Sequence, residues 1–446
     1  MNIEELDNQH RAVDVVPFAD IDAKISHYIT EQAWMTLSCE LIAAGQPDAE
    51  NPLDPDEPAG SEAGIASAVS RHLETMGLEV QSLAKVTGRP NVVGILKGPA
   101  AGPCLIVNDH LDTYPAGDPA RWTKTNGKPY EPTREGDFLY ARGTSDTRAN
   151  LACTLLAVKA LRSAGFELQG TLKCVYTVDE EKDGPHGSIY LLDECGLTAD
   201  YEITCEPTGW TREDGTWGMG LATSNSGHFL VEVVIDGEQM HLWRPDLGVN
   251  PVDHLPQILP ALGAIEFTHQ APITYGGTPP RTTVLRVRAG EPREMQFTPR
   301  ECRLVLGLVG LVPGMTTESV MADIERTLEQ LRSRIPGLAI LARPYPGALF
   351  VGATREQDEN AEPAASLRCA YQSVMGSLPH SYRKNAFNDT IRFSERGIPA
   401  VTFGPGEDGW PPINEYIRIE KSLAATRILA LTIARILGVT RRSDAS

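Results

Sequence analysis

Hydrophobic and polar positions along this chain fall into two textures. In the first, short apolar runs without turn residues alternate with stretches of helical period. Ile25, Ile29, Ala33, Leu37 and Leu41 recur at helical spacing and predict one long amphipathic helix over 21–44. A Pro/Asp/Gly-rich loop, Pro47 to Gly60, follows and reads as solvated. Glu62 to Met76 predicts a second helix, stopped by Gly77. Leu78–Val86, Pro90–Leu96 and Cys104–Val107 predict strands, and Asn150–Ala164 an apolar helix. Gly170–Val178 and Tyr201–Thr204 read as further strands, separated by a helix over His186–Cys195. Strands alternating with helices of this length predict an α/β fold, a mostly parallel sheet with helices on both faces.

The second texture begins near Ser224. His228–Asp236 alternates as a strand, and Val252–Phe267 reads as a helix. Arg281–Ala289 and Arg300–Val309 predict two more strands, and Thr317–Arg334 a helix closed by Ile335-Pro336-Gly337. This stretch predicts an inserted α+β domain over 224–337. The first texture then returns with a strand at Ala339–Arg343, helices over Ala361–Met375 and Ile391–Arg396, a strand at Ala400–Phe403 and a last helix over Glu420–Leu437. Residues 1–223 and 338–446 are therefore expected to form one domain around the insertion.

Composition narrows the class without changing the architecture. A chain of 446 residues is long enough for two or three domains with ample core. Its formal net charge of −19 argues against nucleic acid or an anionic membrane as partner. Met1 to Asp20 is acidic and mixed, and no stretch approaches 18 consecutive apolar residues, so a cytoplasmic protein with no membrane span is expected. Eight cysteines are scattered without a C-x-x-C pair, and several sit inside apolar runs and read as small buried side chains rather than disulfides.

Candidate chemistry gathers at the ends of predicted strands, the edge where open α/β sheets place their sites. His110 and Asp112 follow the strand at Cys104–Val107. Asp146 follows Phe138-Leu139-Tyr140, Glu180 and Glu181 follow the strand at Gly170–Val178, and Glu206 follows Tyr201–Thr204. An imidazole among carboxylates suits a divalent transition metal. Adjacent glutamates let one carboxylate ligate while its neighbour works as a general base.

These segments, taken in order, resemble a metallopeptidase family that holds aminoacylase, carboxypeptidase G and succinyl-diaminopimelate desuccinylase. The resemblance rests on Asp109-His110-Leu111-Asp112, Ala141-Arg142-Gly143-Thr144-Ser145-Asp146, Asp179-Glu180-Glu181 and Glu206-Pro207-Thr208. It extends through Gly237 with His241, Gly248-Val249-Asn250-Pro251, Asn388-Asp389-Thr390, Gly404-Pro405-Gly406 and Asn414-Glu415-Tyr416. It implies a zinc-peptidase-like catalytic domain interrupted by a lid domain through which a homodimer or higher homo-oligomer forms. By the same resemblance His110, Asp146, Glu181 and Glu206 ligate manganese or zinc, with Asp146 between two metals. Glu180 is the general base, Asp112 orients His110, and His241 stabilises a developing oxyanion. Asn250, Arg383 and Lys384 are the candidates for binding the substrate.

Two departures qualify this picture. The family places a last metal-binding histidine four residues before the glutamate of its N-E-x motif, and Pro411 stands there. Either His380, Glu407 or Asp408 substitutes, or one subsite is weak or empty. The last is the expectation, leaving one well-occupied metal site. In the inserted domain Gln296 and Gly310 stand where the family carries a carboxylate clamp. The expected protein is a metal-dependent hydrolase that cleaves a C–N bond of a small carboxylate-bearing molecule. The departures lean it toward an aminohydrolase, as in the 5-nitroanthranilate aminohydrolase branch. An aminoacylase- or carboxypeptidase-type amide hydrolase and a non-catalytic binding descendant are the alternatives. His186 is expected as a surface or capping residue, His228 as a core or edge residue of the insertion, and His254 and His269 as structural or exposed.

Overall fold

The computed structural model describes residues 16–52, 57–273, 277–409 and 411–441. Part of the loop predicted over 47–60 lies outside the described residues. The chain divides into two compact units. The first comprises the described residues up to Thr223, Glu356–Tyr382 and those from Asn388 onward; the second comprises Ser224–Arg355 and Arg383–Phe387.

The first unit is built on a mixed sheet. Its principal strands are β1 (Glu79–Val86), β2 (Arg89–Lys97), β3 (Cys104–His110), β4 (Thr171–Thr177), β5 (Tyr201–Thr204), β6 (Trp217–Asn225), β7 (His380–Lys384) and β8 (Ala400–Thr402). They lie in the order β1-β2-β4-β3-β5-β8-β6-β7. The centre is parallel: β3 pairs with β4 and β5, and β5 with β8. Antiparallel pairs flank it, β1 with β2, β2 with β4, and β6 with β8. Parallel strands need both faces covered, which explains their near-continuous apolar runs. The helix Arg148–Ser163 is buried almost throughout and packs beside Ile419–Leu437. Trp34 is wholly buried in the same core and donates its indole N–H to Cys153 Sγ at 3.2 Å.

Several boundaries differ from the sequence reading, each for a local reason. The single helix expected over 21–44 is two, Phe18–Ile25 and Glu31–Ala44. Thr30 breaks it by accepting the Ala33 N–H as an N-cap. The insertion's first helix is shorter than expected: a 3₁₀ turn over Pro251–His254 leads into Leu255–Gly263. Strand β7 reads His-Ser-Tyr-Arg-Lys, and strand β6 is rich in glycine and small polar residues; neither has a β-branched run to announce it. No cysteine is in a disulfide; Cys153, Cys174, Cys205 and Cys302 are buried, as expected, but Cys195 is exposed. Among the described residues, no helix is long and apolar enough to cross a membrane.

The second unit is an antiparallel sheet backed by helices. Its strands lie in the order Arg281–Ala289, Glu301–Leu311, Gly227–Asp236, Ala339–Pro344. The helices Leu255–Gly263 and Thr317–Arg334 close a separate core with Phe229, Val231, Leu304, Leu306, Ile324 and Leu328. Ala339–Pro344 was expected in the other domain. It instead pairs antiparallel with Gly227–Asp236, so this unit runs on to Arg355 rather than ending at residue 337. The reason is topological: the strand's partner is about a hundred residues away, and nothing in its own sequence names it.

Candidate metal centre

The parallel strands deliver their acidic ends to one edge of the sheet. His110 is the last residue of β3 and is buried. Its Nδ1 faces the Asp112 carbonyl oxygen at 3.1 Å and Asp112 Oδ1 at 3.4 Å. That leaves Nε2 facing the carboxylates: Asp146 Oδ1 at 3.0 Å, Glu206 Oε1 at 3.6 Å and Glu180 Oε2 at 3.8 Å. Two groups of ligand atoms lie within 4.8 Å of one another, His110 with Asp146 and Glu181, and His110 with Glu180 and Glu206. Among the described residues these are the groups able to hold a metal, and both draw on the same imidazole.

Glu180 and Glu181 reach this cluster through a tight turn rather than a strand end. Asp179 adopts a left-handed conformation (φ 63°), which Asp tolerates better than most residues. The 3₁₀ turn Glu180–Lys182 follows, and Asp183 N donates to Glu180 O at 2.8 Å. Both glutamates therefore face His110 instead of pointing to opposite faces. The Gly404-Pro405-Gly406 segment passes so close that a Cβ on Gly406 would lie 2.5 Å from Ser145 O, and one on Gly404 2.6 Å from Glu206 O. Only glycine permits that approach.

The electrostatics are those of a site built for a cation. Burial pushes the Glu180 carboxyl well up, and the charge of Glu206 adds to it. Glu181 is pushed up by burial and then by Asp146. Burial alone would lower the His110 imidazole, but Glu180, Asp112 and Asp146 drive it well above its ordinary range. A divalent ion would relieve this mutual repulsion directly, and imidazole nitrogen with carboxylate oxygen is a donor set that manganese and zinc both accept. The residues present fit such an ion. Two phenols adjoin the carboxylates: Tyr114 is pushed up by burial, then by Glu181 and Glu180, and Tyr382 by burial, then by Asp408. Both remain protonated donors.

A surrounding layer, mostly unassigned from sequence, holds these groups. Asp112 Oδ1 accepts from Glu180 N at 3.2 Å, while Oδ2 accepts from Glu181 N at 3.1 Å and Asn51 Nδ2 at 2.8 Å. Against burial, His110, Asn51 and Arg89 keep the Asp112 carboxyl below its usual value. The Asp146 loop is clasped by Glu415: its Oε1 accepts from Ser145 N at 2.7 Å and Asp146 N at 2.9 Å, and its Oε2 from Gly143 N at 2.8 Å. Arg142 pairs with Glu415 at 2.8 Å and lies over the Trp122 ring. Arg142 and Glu415 lie in two of the motifs that carry the family resemblance, and the fold brings them together.

The candidate substitutes for the missing histidine are otherwise engaged. Glu407 Oε1 accepts from buried Lys421 at 2.5 Å and from Thr211 at 2.7 Å. Asp408 Oδ2 accepts the Tyr382 hydroxyl at 2.8 Å, and His380 is exposed and stacked on the Tyr382 ring. His186, expected as a surface or capping residue, has Nδ1 2.7 Å from Asp179 Oδ2.

The remaining predicted residues belong to the second unit or to the end of β7. His241 lies edge-on to Phe297, and its Nδ1 accepts from Trp243 N at 3.3 Å. A neutral ring so held carries its proton on Nε2. Asn250 caps its own turn, accepting from Val252 N at 3.2 Å and donating to Asp253 Oδ1 at 3.0 Å, so contact with a substrate would require breaking that cap. Arg383 and Lys384 are buried at the end of β7 rather than carried on a solvated loop. Arg383 Nη1 donates to Asn225 O at 3.4 Å.

A mixed α/β sheet with a parallel centre and an imidazole–carboxylate cluster at its strand ends defines a metal-dependent hydrolase class. More narrowly, residues 106–435 match peptidase family M20/M25/M40, and the chain belongs to it. It is a metallohydrolase acting on carbon–nitrogen bonds. The chain is 27% identical over 408 residues to N-formyl-4-amino-5-aminomethyl-2-methylpyrimidine deformylase of Bacillus subtilis (strain 168), covering 84% of this chain and 89% of the relative. It is 25% identical to succinyl-diaminopimelate desuccinylase of a Nitratiruptor species, over 69% of this chain and 77% of that one. Human carnosine dipeptidase 1 shares the fold with a TM-score of 0.74 at 15% identity, covering 94% of this chain and 98% of the other.

Proposed function

We propose that this enzyme hydrolyses a C–N bond of a small, carboxylate-bearing molecule with a single well-occupied metal site, and that its reaction is the hydrolytic release of ammonia from an electron-poor aromatic amine such as 5-nitroanthranilate. The observation that carries this reading is that both candidate ligand groups share one imidazole, His110, while Glu407 and Asp408 are engaged and His380 is turned to solvent. Amide hydrolysis concentrates negative charge on one oxygen, which a second metal helps to stabilise. An aromatic ring bearing a nitro group disperses that charge into itself, so losing a second subsite costs it less.

When bound, the metal supplies a Lewis acid that lowers the pKa of water to near neutrality. Asp112 holds His110 in the orientation that presents Nε2 to the carboxylates. Glu180 takes the proton from the attacking water and delivers it to the departing nitrogen. A C–O bond forms at the ring carbon, the ring and nitro group hold the electron pair, and the C–N bond then breaks to release ammonia. His241 is assigned as donor to the developing negative charge, with its Nε2–H free of the Trp243 contact. Arg383 and Lys384 are assigned to the substrate carboxylate, and Asn250 joins them only if its cap on Val252 and Asp253 opens.

Incubating the purified protein with manganese or zinc and 5-nitroanthranilate should release ammonia with loss of the substrate absorbance. No ammonia from this substrate, together with turnover of N-formyl or N-succinyl amines, would overturn the aminohydrolase reading. That second reading, amide hydrolysis, is favoured by relatives named deformylase and desuccinylase. The proposed single site has its own check. Pro411→His restores the ligand type that the family resemblance places there. Metal bound per chain should rise from about one to about two equivalents by elemental analysis. A wild-type protein already holding two would sink the single-site proposal.

A further inference from the structure

We propose that Asn51 is a positioning residue that locks the orienting carboxylate of His110 to the turn carrying Glu180 and Glu181. The inference rests on reading His110 as a ligand and Glu180 as the base. Asn51 lies in the loop whose composition suggested a solvated connection, yet it is wholly buried. The backbone around it is fastened to the segment after His110. Asn51 N donates to Thr113 O at 2.9 Å and Thr113 N to Ala49 O at 3.1 Å, while Glu50 Oε1 accepts from Ala116 N at 3.0 Å.

The side chain then spans two anions. Asn51 Nδ2 donates to Asp112 Oδ2 at 2.8 Å and to Asp179 Oδ1 at 3.0 Å. Asp112 holds the His110 ring and both glutamate N–H groups; Asp179 opens the turn on which those glutamates sit. Asp179 Oδ1 also accepts from Arg89 Nη1 at 2.9 Å, and Arg89 is itself held by Glu62. Two buried carboxylates placed this close repel each other. A primary amide carries two N–H hydrogens and no charge, so it can bind one carboxylate with each without altering the charge balance of the site. A serine could reach only one of them, and an aliphatic side chain neither.

A loop pin with no part in the site predicts something different: lower stability and unchanged metal affinity. Asn51→Leu and Asn51→Ser separate the two. Dissociation constants for Mn²⁺ and Zn²⁺ would be measured by calorimetry on metal-stripped protein, with thermal midpoints and, where a substrate is in hand, kcat and KM. The expected result is metal binding weakened by about 10- to 100-fold in Asn51→Leu, with Asn51→Ser between it and the wild type. With substrate, kcat should fall and KM change little. Metal affinity within about threefold of wild type in a folded Asn51→Leu protein would overturn the proposal. If that variant does not fold, the same threshold applied to Asn51→Ser decides. Metal binding needs no substrate, so a failed ammonia assay would reject the aminohydrolase reading and leave this test intact.

Discussion

Replacing Glu180 by glutamine should lower kcat by about 10²- to 10⁴-fold while the metal stays bound. Glutamine keeps the size of the side chain and one oxygen, but it cannot take a proton from water. The position is well set for that task. The Glu180 N–H is held by Asp112, its Oε2 lies 3.8 Å from His110 Nε2, and the residue is only 5% exposed. Glu181 provides the counter-test, because both glutamates face the same imidazole. Glu181→Gln should lose metal along with activity. Steady-state kinetics paired with metal analysis on both variants distinguishes the roles. If Glu180→Gln loses the metal and Glu181→Gln keeps it, the assignments are exchanged. If Glu180→Gln retains full turnover, neither the base nor the mechanism stands.

The second large effect is structural. Arg142→Met should destabilise the first unit by about 3–5 kcal/mol, the cost typical of leaving one member of a buried ion pair behind. Glu415 is wholly buried, and Arg142 is almost so. Three backbone N–H groups would still bind the Glu415 carboxylate, which places the expectation at the lower end of that range. Arg142 also donates to the Pro412 carbonyl at 2.8 Å, a bond methionine cannot replace. The double variant Arg142→Met, Glu415→Leu should recover part of the stability, since no charge is then stranded. It should not recover metal binding, because the clasp on the Asp146 loop is gone. Denaturant unfolding and metal titration check both statements. A change below about 1 kcal/mol in Arg142→Met would show that the pair contributes little.

What the sequence discloses about this protein follows the range of each interaction. His110, Asp146, Glu180, Glu181 and Glu206 were legible because each ends a short apolar run or opens a helix, a signal contained within about ten residues. The parallel centre of the sheet was legible for the same reason. The partner of Ala339–Pro344 was not, because register is decided by a strand far away in sequence. Asn51 was illegible for a different reason: a loop rich in Pro, Asp and Gly has the composition of solvated chain, and only its backbone bonds to Thr113 bury it. The break at Thr30 carried a usable signal, a capping residue followed by Glu31, but the apolar period across it was stronger.

Glu415 clasps a loop some 270 residues earlier in the chain, as the 2.7 Å bond to Ser145 N shows. The order of synthesis acquires meaning from that contact. His110, Asp146, Glu180, Glu181 and Glu206 all leave the ribosome well before Glu415, the residue that fixes the Asp146 loop. A nascent or truncated chain lacking Glu415 would carry these five side chains without the clasp that fixes the Asp146 loop. If these residues hold a metal, competence for it is in this sense a late property, acquired when the segment around Glu415 has docked.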